Sequence, residues 1–299
     1  MKSLSDLGED ALVDRLASIL EQGEDVLVGP GDDCAVLQPH SGRSGGLRLL
    51  KVDCVVEGVH YLASEAPSRV GHKAIARALS DIAAMGGRPA HALVTLVLPP
   101  ERTVSYASAL YRGLGSTARE YGVSVVGGET ARPAPGGGGM VSVTLTGQVH
   151  PDHLCLRSGG EPGDRLFVTG RLGGSIRGRH LRFAPRLPEA AWLARNTKPS
   201  AMIDLSDGLG TDLPRLAKAS SCGWEIDLGA LPRQKGCDVA AALSDGEDYE
   251  LLFAIPAARA GKLTRSWQKR FPDLALSEIG ILAKAGKRVP ELGVGWTHY

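Results

Sequence analysis

Apolar residues at helical spacing mark three segments in the first half of the chain. Near the start they recur every three to four positions from Leu7 to Leu20 and predict an amphipathic helix. The same spacing returns over residues 68–86, with Ser68 as the expected N-cap and glycines at the end. A third helix is expected over residues 104–121. The second of these helices is largely apolar and carries Asp81 towards its C-terminal end.

Strand spacing accounts for most of the other apolar segments. Residues 140–149 alternate as a half-buried strand does, and residues 47–56 form a strand that carries Asp53. Shorter apolar runs predict strands over residues 91–98, 123–126, 165–169, 201–205, 224–228, 249–255 and 274–281. Further helices are expected to begin near Asp207 and Ala257. Both halves mix helices and strands, which predicts the α+β fold class.

The chain is long enough for two domains. Its 299 residues exceed the usual size of a single small core. The segment 158–164 is rich in glycine and contains proline, as segments between domains often are. We therefore expect two α+β domains, residues 1–150 and 151–299.

Composition is that of a globular protein outside the membrane. With 43% hydrophobic residues, 22% charged residues and a net charge of +1, the chain has no basic surplus for nucleic acid or an anionic membrane. It contains no apolar run of membrane-spanning length and no signal-peptide pattern at Met1, so a cytoplasmic location is expected. The five cysteines are widely spaced and favour free thiols over disulfides or zinc.

Acidic residues recur in five short segments that are otherwise glycine-rich or apolar. The segments are Gly31-Asp32-Asp33, Val52-Asp53, Ser80–Gly86, Ile203–Leu209 and Gly246–Glu250. A carboxylate beside a buried element needs a cation or a set of hydrogen bonds. Carboxylates without Cys or His pairs are typical ligands of Mg²⁺ or Ca²⁺. Taken singly, each segment is equally compatible with an ordinary turn or helix cap.

The usual phosphate-binding glycine motifs do not occur in the sequence. It contains neither G-x-x-x-x-G-K-[ST] nor G-x-G-x-x-G after a strand, and no protein-kinase H-R-D or D-F-G set. If the protein uses a nucleotide, metal ions must offset the phosphate charge. That requirement agrees with the number of carboxylates.

The acidic segments, in their order, resemble the thiamine-monophosphate kinase family over nearly the whole chain. The matching motifs are Gly31-Asp32-Asp33, Asp53 with Glu57-Gly58-Val59-His60, Leu79–Gly86, Val126-Gly127-Gly128, Ile203–Leu209 and Gly246–Leu251. The motif Ser80–Gly86 alone indicates only the wider group that includes aminoimidazole ribonucleotide synthetase, selenophosphate synthetase and the hydrogenase-maturation dehydratase. The motif Gly246–Leu251 and the closing residues 295–299 favour the thiamine branch.

The resemblance implies a fold, a reaction and a set of site residues. The fold would be two α+β domains of the aminoimidazole ribonucleotide synthetase type, with the N-terminal sheet pairing across a homodimer. The reaction would be direct, Mg²⁺-dependent transfer of the γ-phosphoryl group of ATP to thiamine monophosphate, giving thiamine diphosphate. The implied metal ligands are Asp32, Asp33, Asp53, Asp81, Glu129, Asp204 and Asp207, of which Asp81 and Asp207 are the most critical. The implied ATP contacts are Tyr111, Gly128, Glu129, Arg157 and Ser206, and the implied substrate contacts are His60, Glu247 and Trp296.

Three residues at or beside the implied metal site depart from the family pattern. Lys51 and Val52 stand where the family usually has two hydroxyl residues, and Glu129 stands where it has an aspartate. Lys51 shares a strand face with Asp53, so its ammonium could take the place of one metal ion. The alternative is that Lys51 pairs with nearby carboxylates and metal binding is weaker.

Two other functions remain open. One is an ATP-dependent enzyme of the same fold that acts on a different small substrate. The other is a catalytically impaired nucleotide-binding protein, which the changes at Lys51, Val52 and Glu129 favour. The six retained aspartates of the implied metal site count against an impaired protein.

Overall fold

The computed structural model describes residues 3–39, 46–293 and 295. In these ranges the strands form two six-stranded sheets, one in each half of the chain. The first half contains α1 (Leu4–Leu7), α2 (Glu9–Ala17), β1 (Val26–Val28), β2 (Ala35–Leu37), β3 (Leu47–Val56), α3 (Pro67–Ala84), β4 (Arg88–Val97), α4 (Val104–Glu120), β5 (Ser124–Ala131) and β6 (Met140–Val149). The second half contains β7 (Arg165–Thr169), α5 (Leu187–Asn196), β8 (Ala201–Asp204), α6 (Leu209–Ala219), β9 (Gly223–Ile226), α7 (Val239–Ser244), β10 (Leu251–Ile255), α8 (Ala257–Arg270), β11 (Leu276–Ala283) and β12 (Arg288–Val289). The α+β prediction is confirmed.

The first sheet has one covered face and one open face. Its strand order is β1-β2-β3-β6-β4-β5, and the pairs are antiparallel except β4 with β5. Val94 and Val143 are fully buried and in register with Asp53, whereas Val52 and Leu93 on the other face are 62% and 49% exposed. Because strand side chains alternate, Asp53 lies on the covered face, against α3.

The second sheet is covered on both faces. Its order is β12-β9-β11-β7-β10-β8, antiparallel except for the pair β12 with β9. All five residues of β10 are buried. Alternate residues of β10 belong to two different apolar clusters, Phe253 with Trp267 of α8 and Leu252 with Leu213 of α6. Such a strand shows a continuous apolar run in the sequence.

Helix α3 joins the two halves. It contributes Ile82 to an apolar cluster that also contains Leu193 of α5. The residues Lys73, Arg77 and Asp81 follow one another at four-residue spacing and therefore lie along one face of the helix. The proposed division into domains at residue 150 stays a prediction, since this cluster draws on both halves. None of the described helices is long and apolar enough to cross a lipid bilayer.

Several boundaries differ from the sequence predictions. The strands over residues 47–56, 140–149 and 165–169 have the predicted bounds. The helix predicted over residues 7–20 corresponds to α2, which is shorter at both ends, and Gly8, where φ is +80°, separates it from α1. Helix α3 is capped by Ala66 rather than Ser68, because Pro67 occupies the first helical position, which its fixed φ suits. The sequence analysis missed α5.

Candidate active site

Three buried carboxylates from separate parts of the chain meet beside the covered face of the first sheet. Asp33 lies in the loop between β1 and β2, Asp81 in the last turn of α3 and Asp204 at the end of β8. One oxygen of each lies within 4.8 Å of the others. Burial raises the pKa of Asp81 and of Asp204, and the charge of Asp33 raises that of Asp204 further. The Ser80 hydroxyl donates to Asp204 at 2.6 Å. The cluster has the donor set and crowding of a hard-cation site.

Basic side chains already pair with most of the predicted metal ligands. The Lys51 ammonium lies 2.7 Å from Asp81, and an Arg77 guanidinium nitrogen lies 3.2 Å from Asp53. Arg157 binds Asp33 at 2.5 Å. These pairs explain how so many carboxylates are folded close together, because an unpaired buried charge is strongly destabilising.

Arg157 and Arg215 bind two further predicted ligands, Asp32 and Asp207. The backbone N–H of Arg157 donates to Asp32 at 3.1 Å. Burial, then the charge of Asp33, raises the pKa of Asp32 to about 6. Arg215 bonds to Asp207 and lies 3.2 Å from the buried Asp212. Arg157 and Arg215 thereby hold carboxylates at the rim as well as at the bottom of one cleft.

The acidic residues line an open cleft of about 550 Å³. Its wall includes Asp32, Lys51, Asp53, Arg77, Asp81, Arg157, Asp204, Ser206, Asp207, Arg215 and Tyr249, with Asp10 and Asp14 of α2 at the edge. A smaller pocket of about 80 Å³ contains His60, Ile176, Asp245 and Glu247. Arg77, Ser206, Asp207 and Tyr249 line both spaces. The two spaces therefore adjoin, and a ligand in one can meet a ligand in the other at these four residues.

Two basic side chains, Lys73 and His180, hold Glu247 in the smaller pocket. The fully buried Lys73 ammonium lies 2.6 Å from Glu247 and also donates to the carbonyl oxygen of His60 at 2.6 Å. His180 Nδ1 lies 2.8 Å from Glu247. Burial alone would raise the pKa of Glu247, but His180 and Lys73 together lower it to about 2. For Lys73, burial outweighs the attraction of Glu247 and lowers the pKa to about 8.

The acidic residues of the segment 246–250 have different functions. Glu247 and Tyr249 have positive φ angles of 54° and 51°, which are unusual for residues with a Cβ. Asp248 accepts hydrogen bonds from Ser175 and Gly173, and Glu250 is bound by Arg186 at 2.6 Å. Asp248 and Glu250 therefore fix the backbone, and the strained conformation places Glu247 and Tyr249 at the pockets.

Most of the predicted site residues lie together. Seven of them line the cleft, namely Asp32, Asp53, Asp81, Arg157, Asp204, Ser206 and Asp207. Asp33 is buried beneath them, and His60 and Glu247 line the smaller pocket. Trp296 lies outside the described residues.

Three predicted nucleotide contacts lie elsewhere in the single chain. Among the residues described, Tyr111, Gly128 and Glu129 line neither space. Gly128 is in register with Asp53 but three strands away, roughly 14 Å at ~4.8 Å per strand. Glu129 follows on the opposite face of the sheet from Asp53. A Cβ on Gly128 would lie 1.9 Å from the carbonyl oxygen of Val94, so only glycine allows this close approach.

The sequence analysis missed Lys73, Arg77 and Arg215 as site residues. Lys73 and Arg77 share four-residue spacing with Asp81 on an otherwise apolar helix. Basic residues on a buried helical face need anionic partners, so this spacing was a usable signal. For Arg215 we find no comparable signal, because its partner Asp207 lies in a loop before the helix.

Comparison with known proteins shows extensive similarity. Residues 31–149 match the family described as AIR synthase related protein, N-terminal domain. The thiamine-monophosphate kinase of Rhodopirellula baltica is 41% identical over 79% of this chain and 78% of that protein. The thiamine-monophosphate kinase of Aquifex aeolicus is 33% identical over 99% of both.

A solved structure agrees over the full length. The structure of AaThiL complexed with AMPPCP and TMP matches with a TM-score of 0.83 and 31% identity, over 100% of this chain and 99% of that one. Similarity at this level, over nearly all of both proteins, shows that the chain belongs to the thiamine-monophosphate kinase family.

Proposed function

We propose that this protein transfers the γ-phosphoryl group of ATP to the phosphate of thiamine monophosphate, giving thiamine diphosphate and ADP. The observation that carries the proposal is the pair of adjoining spaces, one lined by aspartates and arginines and the other by His60 and Glu247. The larger space suits a nucleotide triphosphate with its metal ions. The smaller one opens onto the same four residues and suits the acceptor.

The buried carboxylates fit Mg²⁺. Asp33, Asp81 and Asp204 offer oxygens within 4.8 Å of one another, and Asp33 Oδ2 is buried with no hydrogen-bond partner among the described residues. Oxygen ligands of this kind are those that Mg²⁺ prefers. We propose ligands from Asp32, Asp33, Asp53, Asp81, Asp204 and Asp207. Glu129 lies three strands from Asp53 in the single chain, so it would join these ligands only through the dimer proposed below. When bound, Mg²⁺ would offset phosphate charge and orient the two reacting groups.

The protein side chains position the two anions. Arg157 lies at the cleft with forked donors that suit a phosphate, and the Ser206 hydroxyl lies where the two spaces meet. An oxygen of the acceptor phosphate attacks the γ-phosphorus as the bond to the bridging oxygen of ADP breaks. No covalent intermediate on the protein is needed, so catalysis consists of alignment and charge neutralisation.

The acceptor is held from the smaller pocket. We propose that the ionised Glu247 attracts the cationic thiazolium of thiamine and that His60 contacts the same ligand. Glu247 is suited to this because Lys73 and His180 keep it charged at every physiological pH. Trp296 is the third proposed contact, by stacking and cation–π attraction.

We also propose that the protein forms a homodimer through its first sheet. Strand β5 is at the edge of that sheet and all eight of its residues are exposed. A long exposed edge strand favours pairing with another chain. Tyr111, Gly128 and Glu129 are on or near this side of the sheet and remain the proposed further contacts of the nucleotide.

A second candidate is a nucleotide-binding protein with impaired catalysis. The ion pair between Lys51 and Asp81 favours it, because the ammonium occupies an oxygen of a predicted metal ligand. The two functions are separated by assaying ADP release with a panel of acceptors. We expect turnover with thiamine monophosphate and none with thiamine. Turnover only with another acceptor would indicate a different enzyme, and binding of ATP without turnover would indicate the impaired protein.

A further inference from the structure

Lys51 lies inside the carboxylate cluster rather than at its edge. It is two residues before Asp53 on β3, so both side chains lie on the covered face of the sheet. Its ammonium is 2.7 Å from Asp81, and the two side chains are only 23% and 9% exposed. The ammonium occupies one acceptor position of the Asp81 carboxylate and repels a further cation beside it, so fewer Mg²⁺ ions fit around Asp81 than around an unpaired carboxylate.

Arg77 lies one helical turn before Asp81, at the junction of the two spaces. One of its guanidinium nitrogens is 3.2 Å from Asp53, and its side chain is 14% exposed. Arg77 lines both the cleft and the smaller pocket. Its Nε and Nη1 atoms are buried and have no hydrogen-bond partner in the described part of the chain. Buried donors without partners are rare in proteins, and here they indicate an acceptor that arrives with the ligand.

We propose that Lys51 and Arg77 are resident cations of the phosphoryl-transfer centre, which neutralise Asp81 and Asp53 and replace one divalent metal ion. This inference rests on the proposed function and specifies which groups neutralise the carboxylates of the active site. Two fixed positive charges on the protein balance the same two carboxylates that a divalent ion would balance. The guanidinium of Arg77 is also placed to contact phosphate oxygens from both ligands where they meet.

The proposal predicts the number of bound metal ions. We would titrate the protein with Mn²⁺ in the presence of a non-hydrolysable ATP analogue and count bound ions by electron paramagnetic resonance. Lys51→Ser should bind one more Mn²⁺ per chain than the wild type, because the Asp81 oxygen becomes free. Lys51→Thr should gain the same ion and keeps a residue that suits a strand. An unchanged count in both variants would overturn the proposal.

Two further measurements guard against a misleading result. Lys218→Ser is the matched control, since Lys218 also lines the cleft but lies 3.5 Å from Asp14 at the exposed rim. Its ion count should equal that of the wild type. Removal of Lys51 leaves Asp81 unpaired, so without metal the variants should unfold at a lower temperature than the wild type. Addition of Mg²⁺ should raise the unfolding temperature of the variants more than that of the wild type. Equal stabilisation by Mg²⁺ in variant and wild type would contradict the exchange of one cation for the other.

Arg77 is tested by ligand affinity. Arg77→Ala should lower the affinity for the ATP analogue and for thiamine monophosphate at least tenfold each, measured separately by calorimetry, and Arg77→Lys should recover part of both. A loss of affinity for only one ligand, or for neither, would contradict the proposal that Arg77 contacts both ligands. Ion counting and binding need no turnover. If the wild type is inactive but Lys51→Ser binds the extra ion, the proposed function is rejected and this inference stands. If the wild type is active but Lys51→Ser binds no extra ion, the proposed function stands and this inference is rejected.

Discussion

At the scale of single residues, the ion pairs around Glu247 have a consequence for stability in acid. The pKa of Glu247 falls from an ordinary value of 4.5 to about 2 in the folded protein. A carboxyl group whose pKa is lowered by folding stabilises the protein above its unfolded pKa, and this contribution is lost as the pH falls through the folded pKa. Glu247 should therefore stabilise the protein fully above pH ~4.5 and lose that contribution towards pH ~2.

We expect the variant Glu247→Gln to be less sensitive to acid over this range. The difference in free energy of unfolding between wild type and variant should shrink by roughly 3 kcal/mol between pH 4.5 and 2, at about 1.4 kcal/mol per pKa unit. Urea unfolding at several pH values measures it. Parallel stability curves for the two proteins would show that Lys73 and His180 do not hold Glu247 ionised.

Some of the site residues could be predicted from sequence and others could not. The aspartates were found because carboxylates in glycine-rich or apolar sequence need partners, and strand alternation placed Lys51 beside Asp53. The sequence analysis left open whether Lys51 pairs with a carboxylate, and the structure shows the pair with Asp81. The spacing of Arg77 on an apolar helix indicated that it needs an anionic partner, but that partner, Asp53, lies on a strand 24 positions earlier, so local sequence could not identify it.

At the scale of elements, the segment 246–250 depends on a buried charge network. Glu250 is 1% exposed and accepts hydrogen bonds from Arg186 at 2.6 Å and Thr169 at 2.7 Å. It precedes β10, the strand between the two apolar clusters of the second half. The network therefore sets the position at which the pocket segment joins the sheet.

We expect Glu250→Gln to destabilise the protein by about 3–5 kcal/mol, because Arg186 is left as a buried cation without its anion. Urea unfolding measures the change. Glu278→Gln is the matched control, since Glu278 pairs with Arg165 at 3.2 Å on the surface and should contribute less than about 1 kcal/mol. Similar costs for the two substitutions would argue against a structural function for Glu250.

Periodicity predicted the elements whose burial is regular. Strands β3 and β6 have the predicted bounds because one face of each packs against α3. Strand β5 was predicted to end at residue 126 but continues to Ala131, through two glycines and Glu129. All residues of β5 are exposed, so its sequence has no alternation of buried and exposed positions from which its end could be predicted. Helix α2 has no buried residue, and its apolar positions led to too long a prediction.

At the scale of the whole molecule, the open face of the first sheet and its edge strand β5 bear on assembly. Val126 on β5 is 60% exposed, and Val52 and Leu93 are exposed on strands of the same sheet. Isolated apolar residues on a surface are common, but several on one sheet beside an unpaired edge favour a protein interface.

We expect Val126→Lys to convert a dimer to a monomer, because a charge would be buried at the interface. The mass in solution, from light scattering during gel filtration, should fall to half that of the wild type. Val104→Lys is the control, since Val104 is equally apolar but lies 83% exposed at the start of α4. A wild-type protein that is already monomeric would contradict the proposed pairing.

The transfer reaction itself is tested most directly by phosphorus NMR of purified protein with ATP, Mg²⁺ and thiamine monophosphate. We predict equal amounts of thiamine diphosphate and ADP, no product from unphosphorylated thiamine, and a rate at least ~100-fold lower in Asp81→Asn, whose charge the site needs. Folded protein that binds the ATP analogue but forms no diphosphate product, or that releases only inorganic phosphate, would contradict the account.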